Sequence, residues 1–256
     1  MSDDTLPAAA ALIPAPGRSR AERTCRTIVL LLGASVVAPA AQAAQQLTVF
    51  GDSYSIPVHD GFQDWPAQLR NQGVVGLIKD FARSGATASG RWHINFAQEI
   101  DAWRRAGRPL GLTVVYLGYN DITVDLASAR TGYLAGVQAL VAAGAASGGN
   151  RLLLVEPHDV GSTPQYNRTA KRGFLRRQTE DWDRFVADTA DHVGATVVNV
   201  FGAIDRVLAN PRRYGLTNVT TADHAHSGTT ALYNDDFHVG EHGQEIIART
   251  IAARLR

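Results

Sequence analysis

This sequence has almost no cysteine, and its positive and negative charges nearly cancel. The 256 residues contain one cysteine, and 25 lysines and arginines are matched by 24 aspartates and glutamates. A chain this close to neutral has no electrostatic footprint for nucleic acid, so we expect no nucleic-acid partner. Hydrophobic residues make up 45% and charged residues 19% of the chain, a composition that excludes a disordered or collagen-like protein.

Long hydrophobic runs are also missing. The apolar stretch at residues 28–38 is too short to remain across a bilayer, so we expect no stable membrane insertion. Arginines precede it, and Ala-Gln-Ala at residues 41–43 has the pattern of a signal-peptidase site. We therefore predict a cleaved signal peptide over residues 1–43 and a single domain over residues 44–256 in a secreted or periplasmic protein. Cys25 lies in the predicted leader, so disulfide bonds are not expected to stabilise the domain.

Short apolar runs alternate with helical patterns in the rest of the chain. Because the apolar runs are continuous, they predict parallel strands that are covered on both faces. Strands separated by helices predict an α/β fold, a three-layer domain with a mostly parallel five-stranded sheet. The predicted strands are residues 47–50, 74–78, 112–117, 152–155 and 195–200, and the predicted helices are residues 65–71, 95–105, 131–145, 170–192 and 241–255.

Polar residues follow the predicted strands, at the edge of an open parallel sheet where ligands bind. Ser53 follows the first strand, Gly85 the second and Asn120 the third. Asp235 and His238 follow the fifth strand after a longer segment. A serine, an Asp-x-x-His pair and groups that can donate hydrogen bonds are the parts that acyl transfer requires.

Each of these residues has a role in the predicted chemistry. A serine hydroxyl becomes a nucleophile when a base takes its proton, and His238 can be that base for Ser53. Asp235 can hold the imidazole in one tautomer and stabilise its cation. The backbone N–H groups of Ser53 and Gly85 and the amide of Asn120 can form the oxyanion hole. This chemistry needs no metal and no organic cofactor.

At these positions the chain resembles the SGNH hydrolases, the GDSL-type esterase and lipase family. The family is named for Ser, Gly, Asn and His in four sequence blocks, which Ser53, Gly85, Asn120 and His238 match in order. The resemblance covers nearly all of residues 47–256. It implies a flavodoxin-like α/β/α fold and a serine esterase that forms an acyl-enzyme. It also implies a carboxylic ester substrate: a lipid, a short-chain acyl ester or an O-acetylated polysaccharide.

The chain departs from the family pattern at Tyr54, near Asp80 and at Val239, and two alternative functions stay open. The first motif has Tyr54 where the family commonly has Leu. One alternative is a non-catalytic binding module on a decayed hydrolase scaffold. The other is a zinc hydrolase, because His238 and His242 belong to an H-x-x-E-H pattern, which needs both histidines on one helix face. Gly240 and Gly243 disfavour a helix there.

Overall fold

A five-stranded parallel sheet forms the centre of the protein. The structure, a computed structural model, describes residues 45–57, 62–90, 94–224 and 230–255. The order of the strands is β2-β1-β3-β4-β5, and every neighbouring pair is parallel. This is the flavodoxin-like order, which reverses direction between β1 and β3. The strands are β1 (Leu47–Gly51), β2 (Ile78–Asp80), β3 (Leu112–Tyr116), β4 (Arg151–Glu156) and β5 (Thr196–Asn199).

Helices cover both faces of the sheet, so the predicted three-layer α/β/α fold is confirmed. One group, α1, α6 and α7, packs together, and α2, α4 and α5 form a second group. Right-handed crossovers place the two groups on opposite faces. The helices are α1 (Trp65–Asn71), α2 (Phe96–Ala106), α3 (Tyr119–Ile122), α4 (Leu126–Ala142), α5 (Arg172–Val193), α6 (Val200–Ala209) and α7 (Glu241–Ala252).

Capping residues set the ends of several helices. The carboxylate of Asp64 accepts the N–H of Ala67 at the start of α1. The amide oxygen of Asn95 accepts the N–H of Gln98 at the start of α2. Helix α2 ends at Gly107 and α5 ends at Gly194, both with left-handed backbone. The predicted bounds of α1, α2 and α5 lie within two residues of those observed.

The prediction of a strand over residues 74–78 was wrong in its position. Strand β2 begins only at the last of these residues. The N–H groups of Val74 and Val75 both donate to the carbonyl of Leu69, so this segment closes the end of α1. Val75 is buried in the core. Its apolar character therefore reflects packing behind the helix and not pairing in the sheet.

Helix α6 was not predicted, and the predicted fifth strand ran into its first residue. The helix follows β5 without a loop, because the side chain of Asn199 accepts the N–H of Gly202 and caps the new helix. Its apolar residues recur at spacings of three and four, which is a helical period. The buried residues of α6 are Val200, Ala203, Ile204 and Val207.

Three further helices differ from the prediction, and one of them, α7, ends at Ala252, three residues before its predicted end. Helix α4 starts five residues early, because the carboxylate of Asp125 accepts the N–H groups of Ala127 and Ser128. The four-residue helix α3 directly after β3 was not predicted. The predicted signal peptide, residues 1–43, lies outside the described residues. In the part of the chain that is described, no helix is long and apolar enough to cross a membrane.

Candidate active site

The turn that carries Ser53 follows β1 directly. Residues Ser53–Ser55 form one turn of 3-10 helix, and Asp52 caps it by accepting the N–H of Tyr54 at 3.0 Å. Ser53 is 8% exposed, whereas the strand before it is fully buried. The sheet edge and the capped turn therefore fix the serine backbone and leave its hydroxyl at the surface of the site.

Ser53, His238 and Asp235 lie in one chain of contacts. Ser53 Oγ is 2.7 Å from His238 Nε2, and His238 Nδ1 is 2.8 Å from Asp235 Oδ2. Asp235 Oδ1 accepts the N–H of Phe237 at 2.7 Å and that of His238 at 2.6 Å. One carboxylate therefore shapes the backbone turn and orients the ring. A ring held in this way can take the proton of a serine hydroxyl.

Asp235 is ionised at neutral pH. Burial acts to raise its pKa, but hydrogen bonds from the His238 ring and from the N–H groups of His238 and Phe237 outweigh burial and hold the pKa well below its usual range. The neighbouring Asp236 is 51% exposed and lies 4.0 Å from His224 Nε2. The structure thus places Asp235, and not Asp236, against the ring.

A hydrogen bond joins Asn120 to the loop that contains Gly85. Gly85 has a φ of +74° in a turn that is closed by the bond from the Ala86 N–H to the Arg83 carbonyl. The Asn120 amide donates one N–H to the Ala86 carbonyl at 2.9 Å and has a second N–H left. Within the described residues, the N–H groups of Ser53 and Gly85 donate to no protein acceptor. These three N–H groups are therefore the candidate donors for an oxyanion.

Helix α3 also fixes the loop that contains Gly85. The carboxylate of Asp121 accepts the N–H of Ala88 at 2.8 Å and that of Ser89 at 3.1 Å. Gly132 of α4 packs so close to this loop that a Cβ there would overlap the Ala88 carbonyl. Sequence reasoning gave Asp121 no role in the site. The available signal was a second polar residue next to Asn120, directly after a buried strand.

Two buried carboxyl groups lie beneath the serine turn, and sequence reasoning missed Glu99 entirely. Glu99 of α2 is fully buried and accepts the N–H of Gly51 at 3.0 Å. Burial raises the pKa of Glu99 to about 9 and that of Asp52 to about 7. Glu99 is therefore protonated at neutral pH, and the Gly51 N–H at the start of the serine turn donates to a neutral carboxyl group.

The geometry does not provide the helix that the zinc interpretation requires. His238 lies in an irregular segment, and α7 begins only at Glu241. His238 and His242 therefore do not lie on one helix face. Among the described residues, no group of three or more histidine, cysteine, aspartate or glutamate side chains is arranged to hold a metal ion.

A family model matches most of the chain. The model described as GDSL-like Lipase/Acylhydrolase matches residues 47–251. The chain belongs to this family. A GDSL-like hydrolase of this family is a carboxylic ester hydrolase, so the predicted enzyme class is confirmed. A comparison with curated protein sequences found no match.

Solved structures share the fold of this GDSL-like hydrolase. An acetylxylan esterase from Geobacillus stearothermophilus gives a TM-score of 0.57 at 16% identity, over 83% of this chain and 94% of that one. An α/β hydrolase enzyme from the metagenome of Lake Arreo, Spain, gives 0.55 at 20% identity, over 84% and 97%. A protein from Lactobacillus plantarum gives 0.55 at 18% identity, over 83% and 97%. These similarities establish the common fold.

Proposed function

We propose that this GDSL-like hydrolase is a secreted or periplasmic serine esterase that forms an acyl-enzyme on Ser53. The observation that carries the proposal is the unbroken contact from Asp235 through His238 to Ser53, with distances of 2.8 and 2.7 Å. A hydroxyl that contacts an oriented imidazole is the arrangement of an activated nucleophile. The signal-peptide pattern predicted at residues 1–43 supports export.

Acylation begins when Ser53 Oγ attacks the carbonyl carbon of the ester. His238 Nε2 takes the hydroxyl proton, and the negative charge that develops on the carbonyl oxygen faces the N–H groups of Ser53, Gly85 and Asn120. The tetrahedral intermediate then collapses as the bond to the alcohol oxygen breaks. His238 returns the proton to the departing alcohol, which leaves the acyl group on Ser53.

Deacylation repeats these steps with water. His238 takes a proton from the attacking water, and the second tetrahedral intermediate expels Ser53 Oγ, which regains the proton. Asp235 stays ionised throughout, because its hydrogen bonds hold its pKa well below the usual range after burial is offset. The cycle consumes one water, releases one alcohol and one acid, and requires no metal or organic cofactor.

The proposed substrates are lipid, short-chain acyl and O-acetyl esters, including those of polysaccharides. The fold shared with an acetylxylan esterase supports testing acetyl xylan first. A panel of acetyl xylan, tributyrin and a lysophospholipid compares the three classes directly. The class with the highest kcat/KM names the substrate class.

The nucleophile is tested with Ser53→Ala, measured on a chromogenic acetate ester and with a fluorophosphonate label. We expect hydrolysis and labelling to disappear while the circular dichroism spectrum stays the same. Ser147→Ala, in the exposed turn after α4, is the matched control and should behave as the parent. Activity in Ser53→Ala close to that of the parent contradicts the mechanism. A parent that hydrolyses no ester in the panel supports a binding module instead.

Export is tested by expressing the full chain and sequencing the N-terminus of the protein recovered outside the cytoplasm. We expect the mature chain to begin at Ala44. Recovery only from the cytoplasm, with Met1 retained or only Met1 removed, contradicts the proposal of secretion and leaves the mechanism untouched.

A further inference from the structure

The side chain of Tyr54 joins the serine turn to the segment that carries His238. Tyr54 follows Ser53 directly, and its ring is buried with 1% of its surface exposed. Its hydroxyl donates to the carbonyl of Phe237 and lies 3.2 Å from His158 Nε2. The rings of Tyr54 and His238 are 5.4 Å apart. A residue next to the nucleophile thus reaches the backbone of the base.

The hydrogen bonds of the Tyr54 hydroxyl have a defined direction. The carbonyl of Phe237 can only accept, so the single hydroxyl proton is committed to it. The hydroxyl oxygen can then only accept from His158, which must carry its proton on Nε2. In agreement, His158 Nδ1 is buried and has no partner within the described residues, as suits an atom without a proton. The chain of donors runs from His158 to Tyr54 to Phe237.

His158 is held in this state by its surroundings. It lies two residues after β4, is fully buried and packs against Tyr54, Tyr119 and Tyr233, with ring centroids 4.9, 5.8 and 6.5 Å away. Burial, together with the charge of His238, lowers the pKa of His158 to about 3. The ring is therefore neutral at neutral pH, and its Nε2–H remains a steady donor.

The peptide unit that leads into His238 is bonded on both of its sides. The carbonyl of Phe237 and the N–H of His238 belong to the same planar peptide. The N–H donates to Asp235 Oδ1 at 2.6 Å, and the carbonyl accepts from Tyr54 on the opposite edge. Two bonds that pull on opposite edges of one rigid plane fix the direction in which the His238 side chain leaves the backbone.

We propose that Tyr54 and His158 are positioning residues for His238, an inference that rests on the proposed function. His158 holds the Tyr54 hydroxyl, and this hydroxyl holds the peptide from which the catalytic base projects. A shift of the base by a fraction of an ångström lengthens its 2.7 Å contact with Ser53 and slows proton transfer. Neither positioning side chain needs to touch the substrate, because both are buried.

The test is Tyr54→Phe, which removes one oxygen and keeps the ring. We expect kcat per active site, counted by fluorophosphonate titration, to fall by roughly ten-fold, with KM within about two-fold of the parent. Tyr133→Phe is the matched control, because Tyr133 is also fully buried and its hydroxyl has no partner among the described residues. It should keep the parent kcat.

The variants of His158 test whether His158 donates a hydrogen bond to the Tyr54 hydroxyl. His158→Gln keeps an N–H donor near the position of Nε2 and should retain most of the kcat, whereas His158→Leu should lose part of the kcat that Tyr54→Phe loses. The double variant Tyr54→Phe/His158→Leu should lose no more than Tyr54→Phe alone, because Tyr54→Phe already removes the bond to His158. Equal activity of the glutamine and leucine variants contradicts the role of the donor.

Failure of this inference differs from failure of the proposed function. If Tyr54→Phe keeps kcat within two-fold of the parent, or if Tyr133→Phe loses as much, the positioning role is wrong even while Ser53→Ala is inactive. A fall in the number of titratable sites with unchanged kcat per site also overturns it, since this indicates a folding defect. If Ser53→Ala retains the parent activity, the proposed function itself is wrong.

Discussion

The carboxylate of Asp235 contacts His238 at two points. Its Oδ2 lies 2.8 Å from the ring Nδ1, and its Oδ1 accepts the backbone N–H at 2.6 Å. The carboxylate is three residues before the histidine, so a single short turn contains the proposed acid, the proposed base and the bonds between them. The ring is therefore oriented partly by its own turn, while its contact with Ser53 and the bond from the Tyr54 hydroxyl to the Phe237 carbonyl join it to the rest of the fold.

Asp235→Asn should reduce turnover far more than Asp236→Asn. An amide has one accepting oxygen and no charge, so it cannot fix the ring tautomer and stabilise the imidazolium together. In a serine protease with a similar arrangement the equivalent change costs ~10⁴ in kcat. Asp236 is half exposed and faces His224, so its variant should stay close to the parent.

The measurement is kcat for both variants on the same chromogenic ester. A larger loss in Asp236→Asn would show that the acid was assigned to the wrong residue. Thermal unfolding of Asp235→Asn separates a catalytic loss from a structural one, because the carboxylate also accepts two backbone N–H groups.

Removal of metal ions should leave the activity unchanged. The proposed base, His238, contacts a serine and a carboxylate, and the H-x-x-E-H pattern does not form one helix. Prolonged dialysis against a strong chelator, followed by an ester assay, is the check. The variant His242→Ala should also keep the parent kcat. Activity that is lost on dialysis and restored by zinc would favour the metal interpretation.

The free energy of unfolding of Glu99→Gln, relative to that of the parent, should increase as the pH rises. In the unfolded chain Glu99 ionises near its ordinary pKa of 4.5, but burial raises its pKa in the folded protein to about 9. Between these values the unfolded state releases a proton that the folded state keeps. Rising pH therefore destabilises the parent by up to ~1.4 kcal/mol per pH unit through this residue, and glutamine removes this cost.

Urea unfolding of the parent and Glu99→Gln at pH 5 and pH 8 tests this. The difference in the free energy of unfolding, variant minus parent, should be larger at pH 8. The comparison uses a difference between two pH values, so any constant cost of burying an amide cancels. A difference that is equal at both values, or larger at pH 5, would contradict the assignment of Glu99 as a buried neutral acid.

Gly118→Ala should destabilise the protein by roughly 2–4 kcal/mol. Gly118 has a φ of +125°, and a Cβ there would overlap the indole nitrogen of Trp182. That nitrogen donates to the carbonyl of Leu117 at 3.2 Å, directly before the segment with Asn120. Gly148→Ala is the matched control, because Gly148 also has positive φ but no atom lies within 4 Å of the added Cβ.

Chemical denaturation of both variants decides the comparison. The control should lose only about 1 kcal/mol, the cost of a left-handed backbone for alanine. If Gly118→Ala loses no more than Gly148→Ala, the contact with Trp182 does not determine the need for glycine.

The parts of the molecule that the sequence predicts are those with a local signature. Strands β1, β3 and β4 are continuous apolar runs, and Ser53 and Asn120 stand out because they are polar residues directly after such runs. Helix α6 was not predicted, because its first residues continue the apolar run of β5. Glu99 carries no sign of burial, because an acidic residue in the first turn of a helix is ordinarily exposed.

The contact between Tyr54 and His158 belongs to a different class. It joins residues 104 apart in the chain, and neither has a neighbour pattern that indicates the other. Such contacts are set by how β1 and β4 lie in the folded sheet, and a single sequence contains no period or spacing that reports it. The fold therefore had to be known before this pair could be recognised.

Ser53 and His238 are 185 positions apart in the chain, and this separation determines when the enzyme can first act during its biosynthesis. A ribosome that has made the sheet as far as β5 has still not made His238, the proposed catalytic base. On the proposed mechanism, nascent chains that end before His238 therefore have no hydrolytic activity. A premature stop codon anywhere before position 238 is expected to yield an inert product.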